Sequence, residues 1–164
     1  VEQVPRLAMR GLTSAGEEAG DLALNDVYLE RMTGQLVHVQ IRIDGVMAVE
    51  RMTCDGVIVS TALGSTAYAY SAGGPACHPG LRLLQLTAIC PHLPRLPPIT
   101  LPPTAEIDIE VLDSARRPAR VVSDGRGLQG IERIRVGNAD SDIKLAYLRG
   151  HHPTATLIRK LIQA

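Results

Sequence analysis

Apolar and polar residues alternate with a period of two through much of this chain. The clearest case is QLVHVQIRIDGVMAVERMT, where Val37, Val39, Ile41 and Ile43 alternate with His38, Gln40 and Arg42. That period puts the four apolar side chains on one face of a strand. Asp44-Gly45 supplies a positive-φ dipeptide for a two-residue hairpin turn, and Val46 to Thr53 returns as the partner strand. A packed face opposite a wet face is the pattern of an antiparallel sheet. AEIDIEVL repeats it, with Ile107, Ile109 and Val111 set against Asp108 and Glu110. Val57, Ile58 and Val59 break the alternation as three successive β-branched residues, which predicts a strand buried on both faces.

The remaining patterns are shorter. Arg6 to Leu12 predicts a strand, Thr13 to Gly20 a Gly/Ser/Glu loop, and Leu22 to Met32 a second strand. Asn25-Asp26 interrupts that second strand. Regular alternation sends these two side chains to opposite faces, so both serve one ligand only at a strand end or bulge. The segment 91–103 holds six prolines, which excludes a central strand or helix interior and leaves an ordered loop or edge. ARVVSDG, IERIRVGN and DIKLAYLRG read as closely spaced strands, and PTATLIRKLIQ as a closing helix with Pro153 near its start. The expected fold class is mainly β, a layered antiparallel β-sandwich-like domain with one or two short helices. Residues 1–164 are expected to form a single domain.

Composition narrows the function classes. Lys plus Arg equal Asp plus Glu at 17 each, which argues against broad nucleic-acid or membrane-surface binding. Without Phe or Trp, the core must come from Leu, Ile, Val, Ala and Met. Cys54, Cys77 and Cys90 form no CxxC pair and are odd in number, arguing against a zinc site or disulfide framework and for a reducing cytoplasm. No metal site is expected. The first residue is Val1 rather than Met, so we expect the chain to begin inside a longer protein.

The densest chemistry lies in STALGSTAYAYSAGGP, Ser60 to Pro75. Gly64 frees the backbone to turn after a strand, and Ser65 or Thr66 can cap a following helix whose free N–H groups face a ligand. Tyr68 offers a flat face and a hydroxyl. A short capped helix with a Gly-Pro stop accounts for the same residues without any ligand. The stretch is neither a GxxxxGK[ST] phosphate loop nor a GxSxG nucleophile elbow. Asp55-Gly56 and Asp124-Gly125 read equally as turns or as ligand contacts. A hydrolase using Ser65 or Cys54 finds no partner base at a telling spacing among the histidines.

Taken together, DGVIVSTALGSTAYAYSAGGP, the upstream ALND, ICPH at Ile89 to His92, SDG and the HHP tail resemble the ordered blocks of the NAD kinase family. The resemblance covers almost the whole chain. It implies the NAD-binding, oligomer-forming C-terminal domain of an enzyme that phosphorylates the adenosine ribose 2′-hydroxyl of NAD to give NADP. The donor would be ATP or polyphosphate, with a divalent metal, Mg, in the full-length enzyme. By the same resemblance Asn25 and Asp26 hold the adenosine half and Asp55 the nicotinamide end. Thr66, Ala67, Tyr68, Ala69, Tyr70 and Ser71 form a floor under the dinucleotide, with Asp124 and Arg126 as further contacts. Where the family has Pro and then a hydroxyl residue, this chain has Ala62 and Leu63; a lost neutral hydrogen bond to the ligand costs about 1 kcal/mol. The family's Gly-Gly-Asp-Gly-Thr motif, which carries the catalytic Asp, occurs nowhere in these residues. No catalytic residue is therefore expected here, and an N-terminal α/β domain is expected to supply it. The alternatives are a non-catalytic dinucleotide-sensing or oligomerisation module, and a domain of a diacylglycerol- or sphingoid-kinase-like lipid kinase.

Overall fold

The computed structural model describes residues 1–163. In chain order the elements are β1 (Glu2–Val4), β2 (Leu7–Thr13), β3 (Glu18–Ala23), β4 (Asp26–Arg31), β5 (Val37–Ile43), β6 (Val46–Cys54) and β7 (Gly56–Thr61). A 3-10 turn (Gly64–Thr66) and α1 (Tyr68–Ser71) follow. Then come β8 (Leu84–Ile89), β9 (Ile99–Leu101), β10 (Ile107–Leu112), β11 (Ala119–Ser123), β12 (Arg126–Asn138), β13 (Ile143–Leu145) and α2 (Pro153–Ile162). Every strand pairing is antiparallel.

Eleven strands form one sheet in the order β6-β5-β10-β12-β11-β4-β7-β8-β9, with β2 and β3 joined through β12, while β1 pairs with β13 apart from it. The thirteen residues of β12 explain how one sheet becomes two layers. Its first part pairs with β11 and its second with β10 and β2, with a register shift between Ile131 and Arg133. The sheet curls there, and its inner faces close on each other. Val27, Leu29, Val57, Val59 and Leu86 from one arm share a core with Val39, Ile41, Ile107, Ile109 and Ile134 from the other. The mainly β, layered antiparallel class with short helices is therefore present, its layers being two arms of one curled sheet.

The all-buried β7 needs cover on both sides, as its three β-branched residues require. Val57 and Val59 face the main core, whereas Ile58 faces outward into a small cluster with Ala69 and Ile89, against which Tyr28 and Tyr68 pack. The β5–β6 hairpin turns at Asp44 (φ 53°) and Gly45 (φ 77°), the two positive-φ residues that match strand twist. The Pro-rich segment yields only the short edge strand β9, paired with β8.

Three local expectations change. The run from Leu22 to Met32 is two strands, because the chain bends at Leu24-Asn25. The loop after β2 is shorter than expected, since β3 already begins at Glu18 and hydrogen-bonds β2 from Leu12↔Glu18 onward. Leu84–Ile89, for which no strand was expected, is a buried central strand. The closing helix is present, with Pro153 in its first turn and the His152 ring accepting from the Ala155 N–H.

Candidate functional site

The bend at Leu24-Asn25 is where the fold concentrates its long-range polar contacts. The Asp124 carboxylate accepts from three successive backbone N–H groups: Leu24 (2.5 Å), Asn25 (3.0 Å) and Asp26 (3.2 Å). From the other side, the Thr61 hydroxyl donates to the Leu24 carbonyl (2.7 Å), and the Thr61 N–H donates to the Asn25 carbonyl (3.0 Å). The same hydroxyl accepts from the Gly64 N–H (3.1 Å), tying the bend to the 3-10 turn. A Cβ at Gly64 would overlap the Asn25 backbone, so only glycine lets the two segments approach this closely. Asp124 itself sits at φ 43°, followed by Gly125 at 86°, the two-residue turn between β11 and β12. A bend with both its donors and its acceptors engaged is pre-organised, and it presents Asn25 half-buried at its apex.

From the bend, β4 runs outward along one face of the sheet. Asp26, Tyr28 and Glu30 alternate on the face opposite Val27 and Leu29. The Asp26 carboxyl is 6% exposed, and burial first, then the neighbouring Asp124 charge, pushes it up to about 6. Ser60, across from it on β7, is fully buried with a hydroxyl that has no protein partner. Tyr28 meets Tyr68 edge to face, with centroids 5.0 Å apart and planes at 82°. Burial raises the hydroxyl pKa of both tyrosines. At the far end Asp55 joins β6 to β7, and its carboxylate accepts from the Arg31 guanidinium at 2.6 Å. Five residues of extended chain separate the levels of Asp26 and Asp55, roughly 16 Å. The result is a strip: carboxyl, paired aromatic rings, carboxylate.

The GSTAY segment is built differently from a capped helix. No side chain caps either the 3-10 turn or α1, which is only four residues long. Ser65 is fully buried; its hydroxyl donates to the Ala62 carbonyl (2.7 Å) and accepts from the Cys77 N–H (2.8 Å), fastening the returning chain. The expected cap and helix-dipole site are thus absent, because the hydroxyl is used inward. Thr66, Ala67 and Tyr68 are half-buried at the surface, and the Thr66 hydroxyl accepts from Lys160 at 2.8 Å. Ala69 faces the sheet, fully buried, while Tyr70 and Ser71 are exposed on the far side of α1. Arg126 lies off the strip, paired with Asp21, whose carboxyl it holds below the usual value, and bonded to the Leu22 carbonyl (2.7 Å). Leu63 and Ala62 line an apolar cavity of about 170 Å³ beneath α2, so the departure at residue 63 fits the helix packed over it.

Sequence reasoning passed over Thr61, Tyr28 and Lys160. Tyr28 was recoverable, since two residues after Asp26 on a strand is the same face. Thr61 and Lys160 carry no local signal; only the packing of distant segments gives them partners.

Comparison with known proteins follows the same outline. Residues 24–147 match the model of the ATP-NAD kinase C-terminal domain. NAD kinase of Cereibacter sphaeroides is 37% identical over 156 residues, covering 94% of this chain and 61% of that protein. NAD kinase of Cupriavidus pinatubonensis is 42% identical over 144 residues, covering 85% and 46%. Among solved structures, yeast NADH kinase complexed with NADH superposes with a TM-score of 0.85 at 29% identity, covering 99% of this chain and 48% of that one. An NAD kinase from Archaeoglobus fulgidus in complex with ATP gives 0.80 at 28% identity, covering 99% and 61%. The chain thus spans about half to three-fifths of the length of these relatives.

Proposed function

Because this chain belongs to the NAD kinase family through its C-terminal domain, we propose that it forms the dinucleotide cradle of an enzyme that phosphorylates the 2′-hydroxyl of the adenosine ribose of NAD. The observation that carries this reading is the strip from the locked bend at Asn25-Asp26, past Tyr28 and Tyr68, to Asp55. Its ends suit the two hydroxyl-rich riboses, and its middle suits a planar ring.

Asn25 and the Asp26 carboxylate receive the adenosine half, the carboxylate accepting from ribose hydroxyls. Such bonds favour the ionised form, so ligand binding offsets the burial that now raises this group. Tyr68, braced by Tyr28, stacks on a base, and Asp55 holds the nicotinamide end. Thr66 and Ala67 form the floor between them. Asp124 acts through the bend, holding the three N–H groups that aim Asn25 and Asp26; this is a positioning role rather than a ligand contact. Relatives complexed with NADH and with ATP support a nucleotide ligand here, and the NAD and NADH kinases among them favour this reading over a lipid kinase.

Phosphoryl transfer depends on positioning and on stabilising spread negative charge. We assign it to a separate α/β domain carrying Gly-Gly-Asp-Gly-Thr, with ATP or polyphosphate as donor. The divalent metal, Mg, belongs with that donor, where it would neutralise charge developing on the phosphates. Assembly into dimers or tetramers through the β domain, in the cytoplasm, belongs to the same proposal. The test is calorimetry of NAD against this chain and its Tyr68→Ala and Asp55→Asn variants, beside an assay for NADP with ATP and magnesium. We expect NAD binding by the parent, loss in both variants, and no NADP. Equal affinity in all three overturns the cradle, and NADP formation overturns the division of labour.

A further inference from the structure

The cations along the strip, Arg31 and Arg120, are paired with Asp55 and Glu30, whereas the C-terminal helix brings in an ammonium that is in none of the ion pairs among the described residues. α2 lies over the 3-10 turn, its Pro153 and Leu157 lining the apolar cavity together with Ala62, Leu63 and Tyr147, which precedes the helix. That docking, together with the contact between the His78 ring and the Thr154 hydroxyl (3.1 Å), brings the last turn of α2 over the start of GSTAY. There the Lys160 ammonium donates to the Thr66 hydroxyl at 2.8 Å, a contact across 94 residues of sequence.

Charge placement makes this contact more than an incidental surface bond. No Asp or Glu occurs from residue 56 to 105, nor from 143 to 163, and these are the two segments that meet here. None of the ion pairs among the described residues includes Lys160. Four strand arginines, by contrast, have a carboxylate: Arg31 with Asp55, Arg120 with Glu30, Arg126 with Asp21, Arg135 with Asp108. An ammonium ordered by a neutral hydroxyl keeps two further donors and its full charge for an anion.

We infer that Lys160, delivered by α2 to Thr66, is a phosphate-binding residue of the cradle, taking a phosphate group of the bound nucleotide. This rests on the dinucleotide reading above. The shared ligand chemistry is a phosphoric anhydride, whether the pyrophosphate of the dinucleotide or the polyphosphate chain of the donor.

Calorimetry on the full chain with NAD, ATP, inorganic pyrophosphate and adenosine, at low and high salt, tests it. Lys160→Ala should weaken at least one phosphate-bearing ligand about tenfold, reduce the salt dependence of that binding, and leave adenosine unchanged. Lys160→Arg should restore most of the loss. A loss confined to NAD assigns the substrate pyrophosphate; one confined to ATP assigns the donor. Unchanged affinity for all of them overturns the inference, as does an equal loss for adenosine, which would mark a merely structural role. Thr66→Val, which releases the ammonium without removing it, should give a smaller loss of the same kind. A parent that binds pyrophosphate through Lys160 but not NAD overturns the dinucleotide reading and leaves this site standing. A parent that binds none of the ligands overturns both.

Discussion

Replacing Asp26 with asparagine should stabilise the protein while weakening its grip on NAD. Burial first, and then the Asp124 carboxylate, raise the Asp26 carboxyl from 3.8 to about 6. Two pH units at about 1.36 kcal/mol each put the cost of the folded-state charge at up to roughly 3 kcal/mol. Asp26 is only 6% exposed, but its neighbours Leu24 and Asn25 are half-buried, so about 1–3 kcal/mol is the working range. The sign follows from the raised value. Between about pH 4 and 6 the folded state holds a proton that the unfolded chain has released, so stability falls as pH rises through this window. Above it the penalty is complete; below it the penalty is gone. Asparagine has the same shape, no charge, and an amide that can donate to Asp124. Urea unfolding of parent and Asp26→Asn at pH 8 and pH 4.5 measures the difference. We expect the variant to be more stable at pH 8 by about 1–3 kcal/mol, with the gap shrinking at pH 4.5. Equal stability at pH 8, or a gap independent of pH, would refute the reasoning. Carboxyl NMR on Asp124→Asn adds a second reading, because losing that charge should lower the Asp26 pKa.

Two further predictions address the packing that builds the site. Gly64→Ala drives a Cβ into the Asn25 backbone and should cost about 2–3 kcal/mol and most NAD affinity, whereas Gly34→Ala, which meets nothing, should be nearly neutral. Denaturant midpoints and calorimetry on the pair measure both costs, and a neutral Gly64→Ala would refute the argument from close approach. The Cys54 thiol is buried in the main core and pushed up to about 12 by that burial, while Cys90 is exposed. A thiol reagent at pH 8 should therefore modify Cys90 readily and Cys54 only on unfolding; equal rates would place Cys54 outside the core.

Much of the β architecture was legible because a half-buried strand must alternate. Val37 to Ile43 and Ile107 to Val111 announced their faces, and Asp44-Gly45 its turn. Val57-Ile58-Val59 announced burial on both sides, and the structure supplies the second cover as Ala69, Tyr28 and Tyr68. Legibility failed where a segment's fate depends on distant partners. Leu84–Ile89 is a strand because it lies between β7 and β9, although its own sequence runs on from a Pro-Gly loop. Ser65 reads as a cap in isolation, but the returning Cys77 N–H draws its hydroxyl inward. Asp124 reads as a turn residue, and it is one; its larger task, holding a bend about a hundred residues upstream, has no local trace.

Local patterning alone therefore determined the class of fold and the face each regular strand buries, since these follow from steric and solvation rules acting over a few residues, while the polar blocks took their identity from their resemblance to a family. Tertiary structure alone decided that the layers are one sheet curled at β12, that Asp124 and Thr61 clamp the Asn25 bend, and that Lys160 reaches Thr66. Those outcomes rest on hydrogen bonds and charges between segments far apart in the chain, whose meeting is set by burying the whole apolar surface at once.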